Sequence, residues 1–267
     1  MTTRRAFLGA AGAALALAAR PARAAYRLDI GIGTYSYHSL SMDAMIGQLN
    51  ALRIEAIEMS RGEFMLLSHP KDELFRSARA KLDQASIRCV SYYAATFKQD
   101  HEVADAIRFA GLLGAHNITG DATDPAILKS IDESCTAAGL TFGIHNHFFP
   151  GQKFAYESAD DVLKILAGLS RTVGATLDVG QMASCGFDTV DAVRKLAPYL
   201  RLVHLKDVKA SGGEVNVLIG QGIAKIPEVM RELRNVNFRG LVAIEYEKEG
   251  PVEEDMRKEV EYARQLA

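Results

Sequence analysis

The chain contains no tryptophan, and aromatic residues make up only 7% of its 267 positions. It has three cysteines, Cys89, Cys135 and Cys185, far apart and without a Cys-x-x-Cys spacing. That excludes a thiolate zinc site and leaves the cysteines as small buried hydrophobes. Neither sign of charge dominates: 31 basic side chains stand against 33 acidic ones, for a net charge of -2. Nothing electrostatic therefore points to nucleic acid. There is no glycine-rich phosphate loop after the first strand-like segment. Gly31-Ile32-Gly33 lies inside that segment, so a Rossmann fingerprint is unsupported. No linker, low-complexity run or internal repeat divides the chain, and one domain is expected. With 48% hydrophobic residues, a sizeable core can form.

A membrane span is missing as well. The longest apolar run, Ala6 to Ala19, is about 14 residues, short of the roughly 20 that cross a bilayer. It follows Thr3-Arg4-Arg5-Ala6-Phe7-Leu8, which resembles a twin-arginine export motif, and precedes Ala22-Arg23-Ala24, an A-x-A cleavage pattern. The alternative is an uncleaved N-terminal anchor. The expectation is a signal peptide over 1–25, engagement of the twin-arginine export machinery, and a mature protein over 26–267 that is periplasmic or secreted. That route exports folded proteins and suits one that loads a cofactor first.

What remains alternates two patterns. Short apolar segments rich in Ile, Val, Leu and Thr predict strands at Leu28–Tyr35, Ile54–Met59, Ile87–Ala94, Ala115–Thr119, Thr141–Asn146, Gly174–Val179, Leu200–Lys206 and Gly240–Tyr246. Amphipathic stretches between them begin at Ser41 and near Lys71, Glu102, Pro125, Ser158, Thr189 and Ile226, and a last one runs from Pro251 to Leu266. Ser41 suits an N-cap, the prolines suit first helical turns, and the acids Glu253, Glu254 and Asp255 suit the positive end of the last helix. Eight strands each followed by a helix predict an α/β protein with a parallel sheet, and eight is the number that closes a (β/α)8 TIM barrel. A doubly wound open sheet is the structural alternative.

Barrel chemistry sits at the C-terminal strand ends. There the second strand carries Glu58, the fifth His145-Asn146-His147, the sixth Asp178, the seventh His204-Leu205-Lys206-Asp207 and the eighth Glu245-Tyr246-Glu247. Side chains repeat every two residues along a strand. His145 and His147 then share a face with Thr141 and Gly143, His204 and Lys206 with Leu202, and Glu245 and Glu247 with Leu241 and Ala243. Small or apolar residues below and ionisable ones above describe an inward face with a polar mouth. Each residue also has an ordinary role open to it: a hydrogen-bonded structural histidine, an aspartate capping the next helix, a solvated Glu-x-Glu, or a Lys206–Asp207 surface ion pair. Together they place carboxylates around one rim, where they repel unless a positive charge is bound. Histidine with carboxylates and no cysteine suits Mn2+, Zn2+, Co2+ or Fe2+ better than Ca2+.

The stretches "GIHNH", "LDVGQ", "VHLKD", "GQG" and "GLVAIEYE", in this order, resemble the sugar phosphate isomerase/epimerase family. It belongs to the xylose-isomerase-like TIM-barrel superfamily, which also includes endonuclease IV. The resemblance runs from about Leu28 to the end. It implies a divalent metal (Mn2+, Co2+ or Zn2+) held by Asp178, His204 and Glu245, with His145 where the epimerase pattern has glutamate. The chain resembles a branch with His-Asn-His at that point. An enzyme of a small unphosphorylated sugar or polyol is expected, acting through an enediolate. Glu245, His147 and Glu58 are its candidate acids and bases, Lys206 its oxyanion partner, and Tyr35, His38 and Gln181 its substrate contacts. The same enolate chemistry supports β-elimination, as in a dehydratase or a 3-keto-glycoside lyase. A non-catalytic carbohydrate-binding module is the alternative from another class, while export and the lack of basic excess argue against a DNA-repair endonuclease.

Overall fold

The computed structural model describes residues 26–60, Phe64 and 71–267; the expected export signal and its cleavage site lie outside them. Eight parallel strands close into a barrel: β1 (Asp29–Gly33), β2 (Ala56–Met59), β3 (Arg88–Thr96), β4 (Asn117–Asp121), β5 (Thr141–His145), β6 (Val173–Asp178), β7 (Leu200–Leu205) and β10 (Leu241–Ile244). Each pairs with the next, and β10 closes onto β1 in the register Asp29↔Leu241 to Ile32↔Ile244. The open-sheet alternative is thereby excluded. A two-stranded antiparallel ribbon, β8 (Asp207–Val208) with β9 (Asn216–Val217), rises from the loop after β7.

The helices are α1 (Met42–Ala51), α2 (Asp72–Gln84), α3 (Asp100–Leu113), α4 (Pro125–Ala138), α5 (Ala159–Leu166), α6 (Val179–Ser184), α7 (Thr189–Leu196), α8 (Ile226–Asn235) and α9 (Glu253–Leu266). Their ends are set locally. Ser41 Oγ accepts from Ala44 N at 3.2 Å, and Asp124 caps α4 ahead of Pro125. Ser158 and Asp161 form a reciprocal capping box on α5. Among the described residues, no helix is long and apolar enough to cross a membrane.

Two separate interiors result. The larger lies between strands and helices, where Phe75, Tyr92 and Phe109 pack edge-on and stacked. The smaller is the inside of the barrel. Towards its N-terminal end Ala56, Val90, Leu202, Leu241 and Ala243 form an apolar plug. Above it runs a hydroxyl chain: Asn117 Nδ2 donates to Ser91 Oγ (2.9 Å), Ser91 meets Thr119 (3.2 Å), and Thr119 meets Thr176 (3.0 Å). Gly143 belongs to this layer. A Cβ there would lie 2.2 Å from Thr176 Oγ1, so a side chain on β5 and the threonine on β6 cannot coexist. The ionisable residues form the next layer, at the C-terminal mouth.

Candidate active site at the barrel mouth

Three ligand-type residues converge above the hydroxyl layer. One ligand atom each of His145, Asp178 and His204 lies within 4.8 Å of the others, and all three residues are buried. His145 Nε2 is 3.1 Å from His204 Nδ1 and 3.7 Å from Asp178 Oδ2, and His204 Nδ1 is 3.3 Å from Glu245 Oε2. These four are the residues the sequence offered as a ligand set, and the fold brings them together.

The surroundings of the histidines fix which nitrogen faces the cluster. His204 Nε2 meets Glu58 Oε2 at 2.5 Å, which leaves Nδ1 for the centre. This is the carboxylate–histidine arrangement that orients metal-ligating imidazoles. On β5, His145 Nδ1 faces His147 Nε2 at 3.2 Å, and that nitrogen is also 3.3 Å from both Asp121 Oδ2 and Tyr93 Oη. Asp121 is held in turn by Thr96 Oγ1 (3.1 Å). Asp178 is divided: Oδ1 accepts from Gln181 N at 2.9 Å and caps α6, while Oδ2 accepts no well-directed hydrogen bond and faces the cluster. The ordinary capping role and the ligand role are therefore both present in one carboxylate.

A cation is already built in. Lys206, 2% exposed, places Nζ 3.1 Å from Asp178 Oδ2, 3.0 Å from Glu245 Oε2 and 2.6 Å from Glu247 Oε1. It thus supplies part of the positive charge that the rim carboxylates demand. Lys206 and Asp207 do not form a surface pair. Asp207 is buried and turns the other way, accepting from the backbone N–H of Gly220, Gly222 and Ala224 at 2.9 Å each. This explains the Gly-Gln-Gly stretch: a Cβ at Gly222 would sit 2.3 Å from Asp207 Oδ1.

The charges respond to each other. Burial, with His147 and His204 nearby, pushes His145 down to about 4, so it is neutral near pH 7. Burial also opposes charge on His204, but Glu245, Glu58 and Asp178 outweigh it and raise His204 to about 9. Against burial, Lys206 and the histidines hold the Asp178 and Glu245 carboxyls below their ordinary range. Without a metal, protonated His204 and Lys206 are the cations facing Glu58, Asp178 and Glu245. A divalent ion would take the place of the His204 proton. The mixed N/O donors, the Asp178 oxygen turned toward the cluster and the Glu58-oriented imidazole fit such an ion.

Above the cluster opens a cavity of about 400 Å³. His145, Glu245 and Lys206 line its floor; Tyr35, His147 and Gln181 line its walls. Two expected residues fall elsewhere. Glu58 is fully buried beneath the wall and does not line the cavity. Its place is behind His204, so it is no direct acid or base for a bound molecule. His38 is exposed, stacks on Tyr35 and bonds to the Tyr35 carbonyl, away from the cavity lining. His147 lines the cavity, but Nε2 is engaged as described and Nδ1 is buried without a partner. Its geometry supports His145 rather than proton exchange with a ligand. Gln181 is fixed by Phe148 N, which donates to its Oε1 at 2.9 Å.

Tyr93 and Asp121 were not anticipated as site residues. Tyr93 sits in a run that reads as buried core, and a register shift between Tyr93 and Thr96, with Ala95 at φ 63°, accompanies the inward turn of its ring. Asp121 ends β4 two residues past the expected strand end; an acid at that position was the available signal.

The family described as "Xylose isomerase-like TIM barrel" matches residues 42–266. No curated protein matches the chain in sequence. Solved structures do match in fold. The Bacillus anthracis protein AsbF, described as a probable 3-DHS dehydratase of petrobactin synthesis, is 14% identical with a TM-score of 0.69, over 88% of this chain and 98% of that one. A sugar phosphate isomerase/epimerase from Parabacteroides distasonis is 17% identical with a TM-score of 0.66, over 90% and 97%. D-psicose 3-epimerase, solved in the presence of D-fructose, is 17% identical with a TM-score of 0.64, over 90% and 96%. At these identities the likeness is one of fold.

Proposed function

The chain belongs to the xylose isomerase-like TIM barrel family, and on that premise we propose that it is a divalent-metal-dependent enzyme acting on an unphosphorylated sugar or polyol. The observation that carries this reading is the cavity floor: an ionised carboxylate, Glu245, beside an ammonium, Lys206, over a buried His–Asp–His cluster. His145, Asp178, His204 and Glu245 would hold Mn2+, Co2+ or Zn2+, which when bound supplies Lewis-acid polarisation of a carbonyl. Glu245, kept ionised by Lys206, takes the proton from the carbon next to that carbonyl. Lys206 donates to the oxygen that becomes an enediolate, and Tyr35 and Gln181 orient hydroxyls from the walls. Reprotonation gives an isomer or epimer.

Elimination is the second reading, and one observation favours it. Epimerisation by two carboxylates needs a second acid or base on the substrate, whereas His145 stands in the first ligand position and Glu58 is shut off from the cavity. A single base suffices to start β-elimination, and a protein described as a probable dehydratase shares this fold. The charged floor with its open cavity speaks against a purely binding module. The motif at Thr3–Leu8 supports delivery by the twin-arginine machinery to a periplasmic or external location, where unphosphorylated sugars are the expected substrates.

The test is incubation of metal-loaded protein with keto-sugars and 3-keto-glycosides in D2O, read by mass. Deuterium next to the carbonyl at unchanged carbon skeleton indicates isomerisation or epimerisation, and loss of water or of an aglycone indicates elimination. Absence of both across the panel refutes the enolisation reading. Asp178→Ala and His204→Ala should lose the bound metal measured by plasma mass spectrometry; unchanged metal content refutes the ligand set.

A further inference from the structure

We propose that the outer part of the cavity is a second sugar subsite, so that the substrate is a glycoside of at least two rings; this rests on the sugar reading above. Exposure rises outward along two strand ends that β6 and β7 separate around the mouth. On the β5 side it runs from His145 at 3% to Phe149 at 42%, and both line the cavity. On the β10 side the side chains go from Glu245 at 7% to Glu247 at 39%. The reacting groups are thus at the bottom, and a different chemistry lines the rim.

That rim has two unlike sides. Phe149 is a large exposed apolar side chain on the cavity lining. It is not a loose tip: its ring stacks on His147 at 5.9 Å and 21°, and Phe154 lies 5.6 Å away. The loop is pinned by Gln152 N donating to Phe149 O (3.0 Å) and Phe154 N donating to Glu157 Oε1 (2.7 Å). Facing the same cavity, the β8–β9 ribbon presents Glu214, whose carboxylate has no donor among the described residues. The ribbon is tied to the end of β10, since Glu247 N donates to Asn216 Oδ1 at 3.2 Å.

A flat aromatic ring against one wall and hydroxyl-accepting carboxylates along the other match the two faces of a pyranose. Its C–H face is apolar and packs on an aromatic ring, while its rim carries O–H donors. The carboxylates Glu214 and Glu247 would repel a phosphate at this point, so the outer ring carries no phosphate. A cavity of about 400 Å³ is in the range of small-molecule sites.

The experiment is calorimetry and saturation-transfer NMR on the metal-loaded protein with glucose and fructose and with cellobiose, maltose and sucrose. The expected result is that at least one disaccharide binds about tenfold or more tightly than its monosaccharide, with saturation reaching both rings. In Phe149→Ala the ratio of disaccharide to monosaccharide affinity falls about tenfold and the second ring loses its saturation, and Phe149→Trp restores both. A monosaccharide that binds while no disaccharide binds more tightly, or an unchanged ratio in Phe149→Ala, overturns the subsite alone. Failure of every sugar to bind overturns the sugar reading and the subsite with it.

Discussion

Replacing Lys206 by methionine tests the electrostatic account of the site most directly. Methionine keeps the apolar stem, which packs so closely on Gly180 that a Cβ there would lie 2.7 Å from Lys206 Cγ. Only the ammonium is lost. At about 3 Å and an effective dielectric constant of about 20, each of its contacts with Asp178 and Glu245 is worth roughly 5 kcal/mol before desolvation. Burying the three charges offsets most of that gain, and removing one partner of a buried pair costs about 3–5 kcal/mol. In the presence of a chelator, Lys206→Met should therefore lower the unfolding free energy by about 3–5 kcal/mol in urea titrations. Saturating Mn2+ or Zn2+ should then stabilise the variant more than it stabilises the parent, because the ion becomes the main cation between Asp178 and Glu245. At a hundredfold excess over its Kd, a ligand adds about 2.7 kcal/mol. A variant within about 1 kcal/mol of the parent in chelator, or one that gains no more from metal, refutes the claim that Lys206 compensates these carboxylates.

Glu58→Gln should weaken metal binding about 10- to 100-fold in chelator-competition titrations, since it removes the carboxylate that orients His204; affinity within twofold would contradict that role. Gly143→Ala forces a methyl onto Thr176 and should cost about 1–3 kcal/mol in chemical denaturation, whereas Gly139→Ala, with open space around it, should feel only the strain of its positive φ. Glu259, buried on α9 with Oε1 accepting from Ile219 N and Oε2 unpartnered, is raised to about 8 by burial. The folded protein then holds a proton that the unfolded chain has lost, so stability contributed by this group falls as pH rises from about 4.5 to 8. Glu259→Gln should flatten that fall; identical pH–stability curves would contradict it.

The strands and helices were legible because barrel strands are short, doubly buried and apolar, and because signals such as the Ser41 cap and the prolines Pro125 and Pro251 mark helix starts in the chain itself. The rim was legible for the same reason: a period of two carries polarity from Leu202 to His204 and Lys206. What could not be read was how each side chain divides its contacts. Glu58 and Glu245 look alike at strand ends, yet one is closed off behind His204 and the other opens on the cavity. Their difference comes from strand tilt and from neighbours far apart in sequence. Helix α6 escaped because it follows β6 with no intervening loop, its cap being Asp178 itself. The β8–β9 ribbon escaped because two-residue strands leave almost no pattern.

Asp178 links two things that are usually independent. One of its oxygens anchors the first turn of α6, the helix that carries Gln181 and Ser184 to the cavity wall, and the other faces the ion cluster. A change in what occupies the cluster therefore pulls on a wall of the cavity through a single rigid carboxylate plane. An ion bound at the cluster would share its carboxylate with the cavity wall. Substitutions at position 178 will report on both at once, so the site's chemistry is best dissected at His204 or Lys206, where no helix hangs from the side chain.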